Sequence, residues 1–128
     1  FVGMVRDYHK WSLLDKADLF VLLSHHEAFP NSVVEAMAAG VPVVISDGMD
    51  ISSEVSEAEI GFVSGIDPAE VATVLNTMLS DDVLRRKIGE AGKKYVMENW
   101  TWEKVTKDIA DTYKKIVCSV KCEPEKIS

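Results

Sequence analysis

Leu19-Phe20-Val21-Leu22-Leu23-Ser24-His25-His26-Glu27-Ala28-Phe29-Pro30-Asn31-Ser32-Val33-Val34-Glu35-Ala36-Met37-Ala38-Ala39-Gly40-Val41-Pro42-Val43-Val44-Ile45 joins two short apolar runs through a polar loop and a helix-like segment. Residues 19–23 have the length and continuous apolarity of a parallel strand buried on both faces. Residues 24–31 read as a polar loop. Residues 32–39 read as a helix that stops at Gly40, because glycine adopts the left-handed conformation that ends helices at little cost. Residues 41–45 are a second buried strand, β-branched except for Pro42 near its start, where a missing N–H is tolerated.

Outward from this core, the same punctuation continues. Upstream, residues 1–3 read as the end of a short strand. Residues 10–17 read as a short helix with Trp11, Leu14 and Ala17 near one face. Downstream, Asp47-Gly48 marks a turn, residues 52–58 a short helix and residues 61–64 a third strand. Asp67-Pro68 opens a helix by cap and first-turn proline, with Val71, Val74, Leu75 and Met78 on one face. Asp81 or Asp82 opens the next, carrying Val83, Leu84, Ile88, Ala91 and Tyr95. Thr101 opens the last, carrying Trp102, Val105, Ile109, Tyr113, Ile116 and Val120 at the helical period. Strands alternating with helices predict an α/β fold, an open parallel sheet with flanking helices. Ligands of such sheets bind at the carboxyl ends of strands, so the loop after Leu23 is where chemistry is expected.

Composition narrows the function. The 128 residues suffice for one domain with a core. Hydrophobic residues at 47% and charged residues at 27% are ordinary globular values. The 14 basic and 21 acidic residues give a net charge of −7, which argues against a nucleic-acid binder with a basic face. It leaves room for phosphate at a local pocket of backbone donors. No apolar run approaches the roughly 20 residues of a transmembrane helix. The opening at Phe1 within an apolar stretch, without Met or a signal peptide, leads us to expect a piece cut from a larger cytoplasmic protein, with peripheral membrane association left open for the whole. Cys118 and Cys122 lack the further ligands of a zinc site and read as incidental thiols of a reducing compartment. Asn99-Trp100-Thr101 fits a glycosylation sequon, but Thr101 reads better as a helix cap.

Within the quoted stretch, Glu27 in the loop and Glu35 in the predicted first helical turn are separated by seven residues. Backbone N–H groups of Phe29, Asn31, Ser32 and Val33 lie between them, suited to a phosphate or diphosphate at a helix N-terminus. Ionised carboxylates accept bonds from neighbouring hydroxyls, so the flanking pair suits a hydroxyl-rich ligand. Blander assignments compete. Ser32-x-x-Glu35 is also a capping box. Glu27 alone would be a solvated loop residue. His25-His26-Glu27 suggests a metal, yet adjacent side chains of an extended segment point apart. Ser24 beside a histidine lacks the nucleophile elbow of a hydrolase. Met37, Trp11, Trp100 and Trp102 read as core or interface residues rather than a sugar-stacking platform.

The pattern Glu27-Ala28-Phe29-Pro30, then Glu35-Ala36-Met37-Ala38-Ala39-Gly40-Val41-Pro42-Val43-Val44, resembles the donor-site motif of retaining GT-B glycosyltransferases of the group 1, family 4 type. The likeness extends to Ala17-Asp18-Leu19-Phe20-Val21 before the motif. After it come Asp47-Gly48, Ser53-Glu54-Val55 and Gly61-Phe62-Val63, and then the segment from Trp102-Glu103 to Tyr113. It implies a Rossmann-like, incomplete parallel sheet, the later part of a GT-B C-terminal domain, with residues 1–117 as domain and 118–128 as tail. It implies that Glu35 binds the ribose hydroxyls of a UDP-, GDP- or ADP-sugar. Glu27, the catalytic candidate, would contact the sugar. Ala28, Phe29, Pro30 and Asn31 would lie against sugar and diphosphate, and Ser32, Val33 and Val34 near diphosphate and ribose. No cofactor or metal is required in this chemistry. The acceptor, a sugar, lipid or polysaccharide, would bind a further N-terminal domain. Two departures stand out. Ala28 replaces the usual glycine, and the family's upstream Arg/Lys phosphate pair is missing, because Arg6 and Lys10 do not match its place. The chain alone is therefore expected to be inactive. The rival expectation is a non-catalytic nucleotide-sugar binding or partner-docking module.

Overall fold

The computed structural model describes residues 2–120, with side chains to Cys118. Phe1, Cys122 and the tail lie outside the described residues, as does the Val120 side chain. The elements in chain order are α1 (Asp7–Leu14), β1 (Phe20–Leu22), α2 (Asn31–Ala38), β2 (Val43–Ser46), α3 (Ser52–Glu57), β3 (Phe62–Ser64), α4 (Pro68–Ser80), α5 (Asp82–Asn99) and α6 (Trp102–Val120). The three strands form one parallel sheet in the order β1-β2-β3. Phe20 lies opposite Val43, and Val44 opposite Phe62. The α/β expectation and all three strands hold. The predicted strand end at residues 1–3 does not form at Val2 and Gly3, and α1 starts earlier than residue 10, at Asp7.

Central β2 is buried along its whole length. Alternation along the strand sends Val43 and Ile45 to one face and Val44 and Ser46 to the other. Val43 and Ile45 share a core with Val33, Ala36 and Met37 of α2, Val55 of α3 and Val96 of α5. Met37, read from sequence as core, is fully buried. Each fully buried Val, Ile or Met side chain contributes about 1.5–3 kcal/mol by leaving water.

The helix ends follow local chemistry. Asp67 accepts bonds from the N–H groups of Ala69 and Glu70 at 3.0 and 3.2 Å, ahead of Pro68. Asp81 caps α5 by accepting from Leu84 N–H. Thr101 Oγ1 accepts from Lys104 N–H at 3.3 Å, as its cap role predicts. Helix α2 closes in a Schellman motif. Gly40 sits at φ +84°, its N–H donates to Met37 O, and Val41 N–H donates to Ala36 O. Helix α3 closes the same way, with Glu59 at φ +53° where glycine is usual. There Glu59 N–H donates to Ser56 O and Ile60 N–H to Val55 O. A side chain at Gly89 would put its Cβ 2.2 Å from Gly40 O, so this glycine lets α5 lie against the end of α2.

One reading of the helical faces needs correction. Val83 is 75% exposed, because it stands about 100° around α5 from the stripe of Leu84, Ile88, Ala91 and Tyr95. Helix α6 keeps its apolar period but does not bury it: Trp102 is 84% exposed and Tyr113 66%. Val105, Ile109, Tyr113 and Ile116 form an open apolar face along α6. Among the described residues no helix is long and apolar enough to cross a membrane.

Candidate functional site

The loop between β1 and α2 leaves the carboxyl end of the sheet and is stitched to the loop after β2. Ser46 Oγ, fully buried at the end of β2, accepts from Ser24 N–H at 2.9 Å and donates back to Ser24 O. Gly48 allows the His25 carbonyl to pass, since a Cβ there would sit 2.3 Å from His25 O. Glu27 forms an isolated parallel bridge with Met49, and its carbonyl accepts from Asp50 N–H at 3.1 Å. The Glu27 backbone is thereby held while its side chain stays exposed. Ser46, Gly48 and Asp50 escape the sequence reading as site residues. The Asp47-Gly48 turn is their only local signal.

At the far side of the loop Pro30 is buried and occupies the N-cap of α2. The helix therefore begins at Asn31, and Ser32 lies inside it. The predicted Ser32-x-x-Glu35 capping box does not form, because no side chain caps this helix. Pro30 meets the need with its carbonyl, which accepts from Val33 N–H at 2.9 Å and Val34 N–H at 3.3 Å. Of the four N–H groups proposed from sequence, Val33 is thus committed inside the turn. Those of Phe29, Asn31 and Ser32 make no hydrogen bond among the described residues. They sit at the positive end of the α2 dipole.

Glu35 is the fifth residue of α2, in its second turn rather than its first. Its Oε1 lies 2.6 Å from Lys10 Nζ, the two side chains 33% and 36% exposed. Lys10 also stands 5.4 Å from the centroid of the Trp11 ring. The pair spans 25 positions, and nothing in the local pattern announces it. Glu27 and Glu35 thus come from the two ends of one strand–loop–helix connection, with Ala28, Phe29, Asn31 and Ser32 exposed between them and Val34 half-buried. Val33 is a core residue, and its N–H is already taken by Pro30 O. His25 and His26 are exposed, and no group of metal-ligating side chains occurs among the described residues.

Phe29 packs edge-on against Trp100, with ring centroids 5.6 Å apart, and Trp100 in turn against Tyr95 at 5.4 Å. Tyr95 donates its hydroxyl to Glu54 Oε1. That bond, then burial and the Glu54 charge, raises the Tyr95 phenol above its ordinary value of 10.0. Another cavity, about 290 Å³, is lined by Ala17, Asp18, Gly40, Pro42, Asp82, Arg85 and Arg86. It lies at the amino ends of β1 and β2, the wrong end of a parallel sheet for substrate. Its Arg85 is already bound to Met78 O, Leu79 O and Asp82.

The sequence profile described as "Glycosyl transferases group 1" matches residues 1–95. Phosphatidyl-myo-inositol mannosyltransferase of Mycobacterium leprae is 34% identical over 121 residues, 93% of this chain and 32% of that protein. An uncharacterized glycosyltransferase of Methanocaldococcus jannaschii is 32% identical over 115 residues, 89% of this chain and 30% of that protein. Among solved structures, sucrose-phosphate synthase from Thermosynechococcus elongatus superposes with a TM-score of 0.78 at 26% identity, covering 93% of this chain and 30% of that one. The C-terminal domain of a glycosyl transferase group 1 family protein from Francisella tularensis gives 0.69 at 26% identity, covering 80% and 53%. The chain spans about a third or less of the length of the curated relatives it matches.

Proposed function

Because this chain belongs to the group 1 glycosyl transferase family, we propose that it is the donor-binding part of an enzyme that moves a sugar from a nucleotide-sugar to an acceptor hydroxyl with retention of configuration. The observation that carries this reading is the β1–α2 connection. Open N–H groups of Phe29, Asn31 and Ser32 stand between the exposed Glu27 and the half-exposed Glu35. As the bond between sugar and diphosphate breaks, negative charge gathers on the departing oxygen. Fixed N–H dipoles at a helix start stabilise that charge without having to reorganise. In this reading Glu35 accepts from the ribose diol, Glu27 from hydroxyls of the transferred sugar, and Ala28 to Asn31 line the sugar and diphosphate.

The acceptor and the cationic groups for the diphosphate would come from further polypeptide. Exposed apolar side chains on Val21, Leu23 and the α6 face support a surface made to pack against more protein. A thermal-shift panel of UDP-, GDP- and ADP-sugars on the full-length protein, followed by product analysis, tests the proposal. A stabilising donor with turnover and a retained anomer is expected. A stabilising donor without turnover would leave only a non-catalytic binding module, and no response to any donor would remove the site.

A further inference from the structure

Lys10 matches no motif position, yet it is the residue that meets the Glu35 carboxylate. Its place follows from α1. Leu14 is 8% exposed and belongs to the core cluster with Val33, Ala36 and Met37. Lys10 stands one turn earlier on the same stripe of α1, so the burial of Leu14 brings the lysine up to α2. Its ammonium reaches Glu35 Oε1 at 2.6 Å, while Oε2 has no partner among the described residues.

We propose that Lys10 is a positioning residue for the donor's ribose, holding one oxygen of Glu35 so that the other is presented to the vicinal hydroxyl pair. This rests on the reading of Glu35 as the ribose carboxylate. A pair about one-third exposed adds little to stability, so its consequence is geometric. A free glutamate samples many rotamers and loses that freedom on binding. One already pinned by an ion pair has lost it beforehand, which strengthens binding without a new contact. The carboxylate has lone pairs enough for both partners. Lys10 therefore acts on discrimination between ribose and 2′-deoxyribose, and on nothing at the phosphates.

The test is calorimetric titration of the full-length protein with UDP, GDP and ADP, then with the 2′-deoxy form of the tightest binder. The wild type is expected to prefer the ribonucleotide by about tenfold or more, the size of a lost charged hydrogen bond. Lys10→Met should cut that preference to about threefold or less, with affinity for the deoxy form nearly unchanged. Glu35→Gln should also lower it, and adding Lys10→Met to Glu35→Gln should change nothing more. Lys10→Gln repeats the measurement should the Met variant misfold. Equal weakening of both nucleotides would overturn the proposal, since Lys10 would then serve the phosphates or the fold. So would an unchanged preference, or tighter ribonucleotide binding, which would make Lys10 a competitor. A wild type with no ribose preference removes the diol role of Glu35 itself and this inference with it, a failure visible before any variant is made.

Discussion

Phe29 in the β1–α2 loop meets Trp100 at the junction of α5 and α6 edge to face, the ring planes at 74°. Seventy-one positions separate them, and the contact ties the proposed donor loop to the point where α6 departs. Phe29 is nonetheless 47% exposed, so Trp100 covers its ring only in part.

Trp100→Ala removes both the Phe29 and Tyr95 contacts. It should destabilise the domain by about 2–3 kcal/mol, from two aromatic pairs of ~0.5–1.5 kcal/mol each and the apolar area lost. Donor binding in the full-length protein should weaken further, because the loop loses its brace. Trp100→Phe, which keeps an aromatic edge, should recover most of both. Chemical denaturation and nucleotide titration of the two variants check this. Equal donor binding by wild type and Trp100→Ala would mean that the loop is held by its backbone stitches alone.

The two Schellman ends make opposite predictions. Gly40→Ala places a Cβ in open enough space, 3.7 Å from Lys93 Cδ, but in a backbone region that L-residues avoid. It should cost about 1–2 kcal/mol. Glu59 already bears that strain at φ +53°, so Glu59→Gly should stabilise by about 1 kcal/mol or somewhat less, given glycine's unfolded-state entropy. Denaturant midpoints of both variants decide. Destabilisation by Glu59→Gly would show that its side chain contributes more than its backbone costs.

The Tyr95 phenol, raised by its bond to Glu54, should titrate above 10.0. For a group whose folded pKa exceeds the unfolded one, the stabilisation is fully present below the unfolded value. It is lost as pH rises through the folded one. Stability should therefore fall in strongly alkaline solution, above about 10, and Tyr95→Phe should lose that part of the dependence. Ultraviolet phenolate titration and alkaline unfolding measure the two sides. A Tyr95 that ionises at or below 10.0 would contradict the hydrogen bond.

Glu35→Gln and Glu27→Gln should separate the halves of the donor. Glu35→Gln should weaken nucleotide-sugar and free nucleoside diphosphate alike by ~1.5–3 kcal/mol, since the ribose is common to both. Glu27→Gln should leave the free nucleoside diphosphate bound nearly as before and lower the transfer rate. Titration beside transfer rates on the full-length protein reads both. The reverse pattern would exchange the two roles. No effect from either would leave Glu35 as a partner of Lys10 and Glu27 as a solvated loop residue.

Local pattern determined the three strands of the sheet, the caps at Asp67, Asp81 and Thr101, and the order of elements. Apolar runs such as Leu19-Phe20-Val21-Leu22-Leu23, caps such as Asp67-Pro68 and the stop at Gly40 act through neighbours a few positions away, and short-range sterics and hydrogen bonding resolve them. The position of the candidate loop followed, because parallel sheets expose ligand loops at one end. Tertiary structure decided the rest. Period alone shows that Val105, Ile109 and Tyr113 share a face of α6 but not whether anything covers it, and in this chain they are 36–66% exposed. The capping box around Glu35 was locally sound and lost to two competitors. Pro30 supplied its carbonyl to the helix start, and Lys10 arrived from 25 residues upstream to take the carboxylate. The Ser24–Ser46 exchange, the passage of His25 over Gly48 and the Phe29–Trp100 contact likewise join residues distant in sequence. Their partners are chosen when the core packs, by the volume and direction of side chains that no window of neighbouring residues contains.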